Sequence, residues 1–333
     1  MKPPIEIGLN AVIVAVTEDV PRILTVRRDR KALDALPFGP LDPAADRTLE
    51  LGLRRWVREQ TGIEIGYVEQ LYTFGNRHRD PSELAGGPRV ISIAYLALVR
   101  EEKLSGRGEA LWREWYRYIP WEDWRAGRPP VIACEIAPAL DRWSRSARNK
   151  NGRAERRERC DINFGLYGAP WAPERVLERF ELMYEVGLAA ESRRDRLREA
   201  RSGAGNASQP HPAGHLPSAL GRPMAFDHRR MLAAALGRLR GKLKYRPVVF
   251  ELLPATFTLL QLQRVVEALA GIVLHKQNLR RLVEKGGLVE GTGRYESQTG
   301  GRPAELFRFR REVLRERPAP GVGLPGLRPG SPG

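Results

Sequence analysis

Lys276, Gln277, Asn278, Arg280, Arg281 and Lys285 bring amide, ammonium and guanidinium donors together within ten positions. Leu279, Leu282 and Val283 recur among them at i, i+3, i+4 spacing, which predicts a helix over about His275 to Lys285 with the donors left outside. Such a face can hydrogen-bond nucleic acid. Gln277 and Arg281 stand one turn apart, where Gln suits adenine and Arg suits guanine. Lys276, Arg280 and Lys285 suit phosphates, and Asn278 lies on the same stretch.

The preceding residues predict how that helix is held. Thr258-Leu-Leu-Gln261 fits a capping box, with Phe257 and Leu262 as its hydrophobic staple, and the helix should run to Ala270 before Gly271. Two short helices across a tight turn form a helix-turn-helix pattern. Gly287-Leu-Val-Glu-Gly-Thr-Gly293 and Ala304–Phe309 then read as two strands with a Gly-rich tip, a wing whose Arg294 and Arg302 suit the DNA backbone or minor groove. A protein-docking module with a solvated basic face shares this pattern, so the pattern alone does not choose between the two.

A second set of donors lies near the other end of the chain. Tyr72, Phe74, Arg77, Arg79, Asp80 and Arg89 combine stacking surfaces with forked phosphate donors. Taken alone, they read as a charged loop between two strands. The elements around them predict an α/β sandwich. Strands are expected over Glu6 to Val16, Arg22 to Arg27, Tyr67 to Phe74 and Val90 to Val99. A helix is expected from about Arg47 to Gln60, with Leu49, Leu53, Trp56 and Val57 on one face. Trp112 to Val131 reads as a loop and short-helix cap. Ser144 to Arg159 reads as an Arg-rich linker or solvated helix surface, with a phosphate contact as the alternative, and Pro173 to Arg201 as one amphipathic helix. Ser202 to Pro223, with His211 and His215, reads as a flexible linker, and His228 to Leu243 as the first helix of the C-terminal domain. The expected domains are therefore 1–143, a connecting segment 144–201, a linker 202–223, a winged helix 224–315 and a disordered tail 316–333.

A net charge of +16 favours a polyanionic partner, although Arg outnumbers Lys and part of the charge follows from base composition. Cys134 and Cys160 have neither metal spacing nor disulfide density. No apolar run approaches the roughly 20 residues that span a bilayer, and Met-Lys-Pro-Pro lacks a signal-peptide core, so a cytoplasmic chain without membrane contact is expected.

The helix from Arg47 and its preceding loop resemble a Nudix box, G-x5-E-x7-R-E-U-x-E-E-x-G-U with U aliphatic. Arg55, Val57, Glu59, Gly62 and Ile63 match, whereas Trp56, Gln60 and Arg47 stand where the box has carboxylates. Nudix hydrolases use those carboxylates to hold metal against a diphosphate. A lone Glu59 predicts neither a metal site nor a catalytic residue.

Both halves together resemble the Nudix-related transcriptional regulators of NAD biosynthesis. The resemblance rests on Tyr72-Thr-Phe-Gly75, on Val90-Ile-Ser-Ile-Ala-Tyr95 and on Lys242-Leu-Lys-Tyr-Arg-Pro-Val-Val-Phe-Glu-Leu-Leu-Pro-Ala-Thr-Phe-Thr258. It continues through Leu262-Gln263, Lys276-Gln-Asn-Leu-Arg-Arg281 and Gly301-Arg-Pro-Ala304. It implies an α/β Nudix-like sandwich, a mixed sheet with helices, followed by an α+β winged helix-turn-helix domain. It further implies a repressor of NAD synthesis or salvage genes that acts on a palindromic double-stranded operator as a homodimer. An NAD-related nucleotide such as ADP-ribose or NAD would be its effector, held without hydrolysis and without a required cofactor. The rivals are a Nudix pyrophosphatase acting on ADP-ribose or NAD-like compounds, and an RNA-binding adaptor.

Overall fold

The computed structural model describes residues 4–27, 32–77, 80–106, 109–201, 216–296, 303–316 and 321–322. Its N-terminal part contains β1 (Ile5–Thr17), β2 (Val20–Arg27), β3 (Phe38–Pro40), α1 (Leu49–Thr61), β4 (Tyr67–Phe74), α2 (Pro81–Leu84), β5 (Arg89–Leu98) and β6 (Glu109–Glu114). The sheet order is β4-β5-β1-β2-β6, with β3 pairing alongside β1. β1 and β5 run parallel from Ile5↔Arg89 to Val14↔Leu98, and the other pairings are antiparallel. This is the expected mixed sheet.

Alternate residues of β1 serve opposite cores, which explains its continuous apolar run. Leu9, Ala11 and Ile13 pack with Leu53 and Val57 of α1. Val12 and Val14 face the other way, into the core that also holds Met231, Leu232, Ala235 and Leu236.

β6 corrects the expectation of a loop from Trp112. Glu109–Glu114 pairs with β2, and Ala110 and Trp112 pack on the α1 side. The density of aromatic residues after Trp112 hid a short alternating edge strand.

Beyond the sheet come α3 (Ala137–Arg145), α4 (Lys150–Phe164), α5 (Val176–Val186) and α6 (Ala190–Arg201). The single helix expected over Pro173 to Arg201 is thus two. Gly187 takes φ 83°, and its N–H donates to the Met183 and Tyr184 carbonyls, which ends α5. The apolar stripe runs on through Leu188, so periodicity alone concealed the break.

The last elements are α7 (His228–Leu243), α8 (Leu259–Ala270), α9 (Lys276–Lys285), β7 (Val289–Glu296), β8 (Ala304–Phe309) and α10 (Val313–Glu316). α7 packs against α5, α8 and the sheet strands β1, β4 and β5. A boundary at residue 224 would therefore cut a continuous core, because α7 is the second helical cover of the sheet. Two other boundaries also move. Within the expected linker, Leu220 is buried and the Arg222 N–H donates to the Arg117 carbonyl at 2.9 Å. Within the expected disordered tail, Val322 is buried and its N–H donates to the Leu243 carbonyl at 2.9 Å. His211 and His215 lie outside the described residues. Among the described residues no helix is long and apolar enough to cross a membrane.

The capping box on α8 is complete. The Thr258 hydroxyl accepts from the Gln261 N–H at 3.1 Å, and the Gln261 side chain accepts from the Thr258 N–H at 2.8 Å. Thr258→Ala is expected to lower stability by about 1 kcal/mol, with Thr258→Ser retaining most of it. Urea midpoints of the two variants check this. Equal midpoints would remove the cap from the account.

Candidate nucleic-acid interface and ligand pocket

α9 lies across the turn at residues 271–275 from α8, with Leu279 and Val283 buried beneath it. Two side chains that sequence reading passed over set that turn. Glu267 accepts from the Leu274 N–H at 2.8 Å and from Gln263 at 2.9 Å, while Gln263 donates to the Leu274 carbonyl at 3.0 Å. Their i, i+4 spacing on α8 was the available signal, but it reads equally as a solvated pair.

Lys276, Gln277, Asn278, Arg280, Arg281 and Lys285 are all exposed on α9. Arg280 is already engaged: it donates to Glu284 at 2.8 Å, a hydrogen bond that holds the guanidinium above its ordinary pKa. Gln277 and Arg281 share the outer face as the spacing predicts.

The wing pairs Val289↔Phe309 through Glu296↔Ala304 and is irregular between Gly291 and Tyr295. Phe257 and Phe307 form a bridge that fixes it to the start of α8, and Phe309 stacks on Phe250 at 4.4 Å. Arg294 is exposed near the tip, and Arg302 lies outside the described residues. Tyr295 stands beside Arg294 with 64% exposure, an aromatic that the strand pattern gave no reason to single out.

On the sheet side, the three positions that depart from the Nudix box, Arg47 before α1 and Trp56 and Gln60 on it, do not converge on a metal site. Arg55 donates two hydrogen bonds to Asp46 (3.0 and 2.8 Å), which hold that carboxyl below its ordinary pKa. The Trp56 indole N–H donates to the Pro40 carbonyl at 2.8 Å, and its ring lies where a Cβ on Gly39 would fall, 2.1 Å from the nearest atom. Gln60 donates to the Phe38 carbonyl at 2.7 Å and accepts from the Phe38 N–H at 3.1 Å. Trp56 and Gln60 therefore clasp β3 to α1. Arg47 is exposed. Among the described residues, no group of three His, Cys, Asp or Glu side chains is placed to hold a metal ion.

The expected ligand set divides. Tyr72 is 58% exposed and available for stacking, whereas Phe74 is buried in the core 5.4 Å from it, so Phe74 supports rather than stacks. Asp80 caps α2 by accepting from the Ser82 N–H at 2.8 Å, which gives it a structural task. Arg89 donates to the Gly75 carbonyl at 2.9 Å, and its buried Nε has no partner among the described residues. Arg77 is exposed, and Arg79 lies outside the described residues. A cavity of about 160 Å³ opens beside Tyr72 toward Leu177, Glu178, Gly237 and Arg238. Arg238 on its wall pairs with Glu69 at 3.4 Å, and Glu69 pairs in turn with Lys242 at 2.5 Å, which donates to the Tyr67 phenol at 2.8 Å. Burial pushes the Tyr67 phenol above its ordinary pKa.

Residues 249–309 match the family model of the NrtR DNA-binding winged helix domain. Over 94 residues, 28% of this chain, the sequence is 39% identical to the ADPR responsive transcriptional repressor NtrR of Acinetobacter baylyi, and the match spans 37% of that repressor's length. The crystal structure of Shewanella oneidensis NrtR with a 27mer DNA superposes with a TM-score of 0.52 at 20% identity, covering 93% of this chain and 95% of that one. The DNA-free structure of the same protein gives 0.52 at 20%, over 92% and 95%. Residues 249–309 are thus a winged helix domain of the NrtR type, and the chain as a whole has the NrtR fold, a Nudix-like sandwich joined to that domain.

Proposed function

We propose that this protein is a repressor of NAD synthesis or salvage genes. In this reading its winged helix binds a palindromic operator as a homodimer, and its Nudix-like domain binds an NAD-related nucleotide, ADP-ribose by preference, without cleaving it. The observation that carries the reading is the exposed amide and guanidinium face of α9, on a domain whose sequence matches a DNA-binding family. The effector assignment takes support from the Acinetobacter relative, an ADPR responsive repressor, and from an exposed Tyr72 beside a cavity, with Arg89 opening the paired strand β5 and Arg77 in the turn after β4. The reading without cleavage takes support from Trp56 and Gln60, which stand at carboxylate positions of the box and instead donate to β3. The sensing mechanism is linkage: a nucleotide that binds one placement of the winged helix more tightly shifts operator affinity by the same factor.

The test is a gel-shift titration of the full chain on the palindromic segment upstream of neighbouring NAD genes, with ADP-ribose, NAD, ATP and nicotinate as competitors. ADP-ribose is expected to move operator affinity at lower concentration than the others. Absence of any duplex preference overturns the repressor reading, and retained single-strand binding would then favour the RNA adaptor. Mg²⁺-dependent cleavage of ADP-ribose that is lost in Glu59→Gln would replace the sensor with a pyrophosphatase.

A further inference from the structure

We propose that α4 and the end of α3 form a second phosphate-binding surface, which grips the duplex backbone flanking the site read by α9. The inference rests on the DNA-binding reading above.

Between residues 141 and 161 the sequence holds eight Lys and Arg against four Asp and Glu. Two of those carboxylates are already committed. Asp141 pairs with Arg145 at 2.9 Å, and Asp161 accepts the Tyr167 and Ala169 N–H groups. Arg159 turns away to Glu185 at 2.6 Å. Among the described residues, Arg142, Arg148 and Lys150 have no partner, and Arg153, Arg156 and Arg157 have none that is anionic.

Neutral groups order the last three. The Arg157 guanidinium lies 3.7 Å from the Tyr167 ring centroid and that of Arg156 4.6 Å from Trp143. Arg156 also donates to the Trp143 carbonyl at 2.8 Å, and Arg153 to the Ala147 carbonyl at 3.3 Å. A guanidinium pinned by a ring or a carbonyl keeps its remaining N–H groups and its full charge for an outside anion. Lys150, Arg153 and Arg157 recur at i, i+3, i+7 and so share one stripe, which Glu155 and Glu158 do not join.

The helix also runs against its own dipole. Its first turn carries Lys150 and Arg153 and no acid, the arrangement least favourable to an isolated helix and most favourable to a bound anion. Cys160 and Phe164 of α4 are buried in the protein core, and Ile162 is the one large apolar side chain the helix exposes, so it has no apolar face to insert into lipid.

Position singles out the duplex. Phe164, which ends α4, lies 6.3 Å from Trp171, and Trp171 lies 4.4 Å from Trp124. The Trp124 backbone N–H in turn donates to the carbonyl of Gly271, the first residue of the helix-turn-helix turn, at 2.7 Å. At 1.5 Å per residue α4 is about 22 Å long. Phe164 is thus the end of α4 tied to that turn, and the cationic stripe runs back from it, from about 10 Å along the helix at Arg157 to about 21 Å at Lys150, a span shorter than one duplex turn of roughly 34 Å.

The test uses the full chain carrying Arg148→Gln, Lys150→Gln and Arg153→Gln together, all at exposed positions. Affinities are measured between 50 and 200 mM salt on a minimal operator and on the same operator extended by about one turn at each end, sizes set by the half-site geometry. On the extended duplex the variant is expected to lose about two to three units of the log K against log salt slope, and at least tenfold in affinity at low salt. Its preference among base substitutions should not change, and on the minimal operator it should match the parent. An unchanged slope on the extended duplex overturns the proposal and leaves the surface to an acidic protein partner. The parent protein's preference for operator over scrambled duplex, measured in the same series, tests the repressor reading separately.

Discussion

Glu122→Gln is expected to lower stability by about 3–5 kcal/mol, the cost of leaving buried charge without its partner. Glu122, Arg179 and Arg240 are each fully buried. The carboxylate accepts from Arg179 at 2.6 and 2.9 Å and from Arg240 at 2.6 Å, so one anion serves two cations. Backbone carbonyls take much of the remaining donor capacity: Arg240 reaches Leu269, Pro173 and Glu122 itself, and Arg179 reaches Ala172 and Asn163. A guanidinium does not shed its proton to relieve the imbalance. Gln at 122 would keep the shape and remove the carboxylate charge that both guanidinium groups share.

The control is Glu174→Gln. Glu174 pairs with Lys244 at 2.9 Å, but both side chains are about 40% exposed, and pairs of that kind contribute about 0–1 kcal/mol. Urea midpoints should separate the two variants clearly. A Glu122→Gln shift as small as that of Glu174→Gln would mean that water reaches the cluster. The cluster also ties the sheet-side loop at Glu122 to α5, α7 and the end of α8, and the Tyr116 hydroxyl donates to the Ala268 carbonyl at 2.8 Å beside it. On the proposed function, linkage between nucleotide and operator needs a joint that transmits one placement, so any effect of ADP-ribose on operator affinity is expected to shrink in the same variant.

None of this cluster was legible in the sequence. Arg240 lies beside Leu239 and three residues before Leu243, and a cation there reads as the solvated side of an amphipathic helix. Glu122 and Arg179 are 57 positions apart, so nothing local pairs them. Trp56 and Gln60 were legible as departures from a motif, yet not as a clasp, because Phe38 and Pro40 enter only through the sheet register. Local chemistry was easier to read. The Thr258 cap, the Gly271 stop and the α9 stripe involve partners within four residues, and each falls where spacing predicts. Register and boundary effects were harder. A bulge between Gln70 and Tyr72 turns both Leu71 and Phe74 into the core and leaves Tyr72 outside, which period-two reasoning would not assign. At the expected winged-helix boundary, α7 carries apolar residues for both the sheet and α8, which its periodicity does not separate.

Arg281→Ala is expected to weaken operator binding by about 1–3 kcal/mol and to relax base preference at one position of each half-site. The magnitude depends on what the side chain does before DNA arrives. Arg281 is exposed on α9 with no partner among the described residues, so a base edge would not have to displace one. Its neighbour Arg280 must first release Glu284, which offsets part of what a phosphate would return. Arg280→Ala should therefore cost less than Arg281→Ala and leave base preference intact. Lys276→Ala should weaken binding evenly across sequences and reduce the salt slope by about one. A gel-shift series over operator variants and salt concentrations separates these three outcomes. If Arg281→Ala keeps both affinity and base preference while Arg280→Ala loses them, the reading face of α9 is rotated from the one assigned here, and Arg280, freed from Glu284, becomes the base contact.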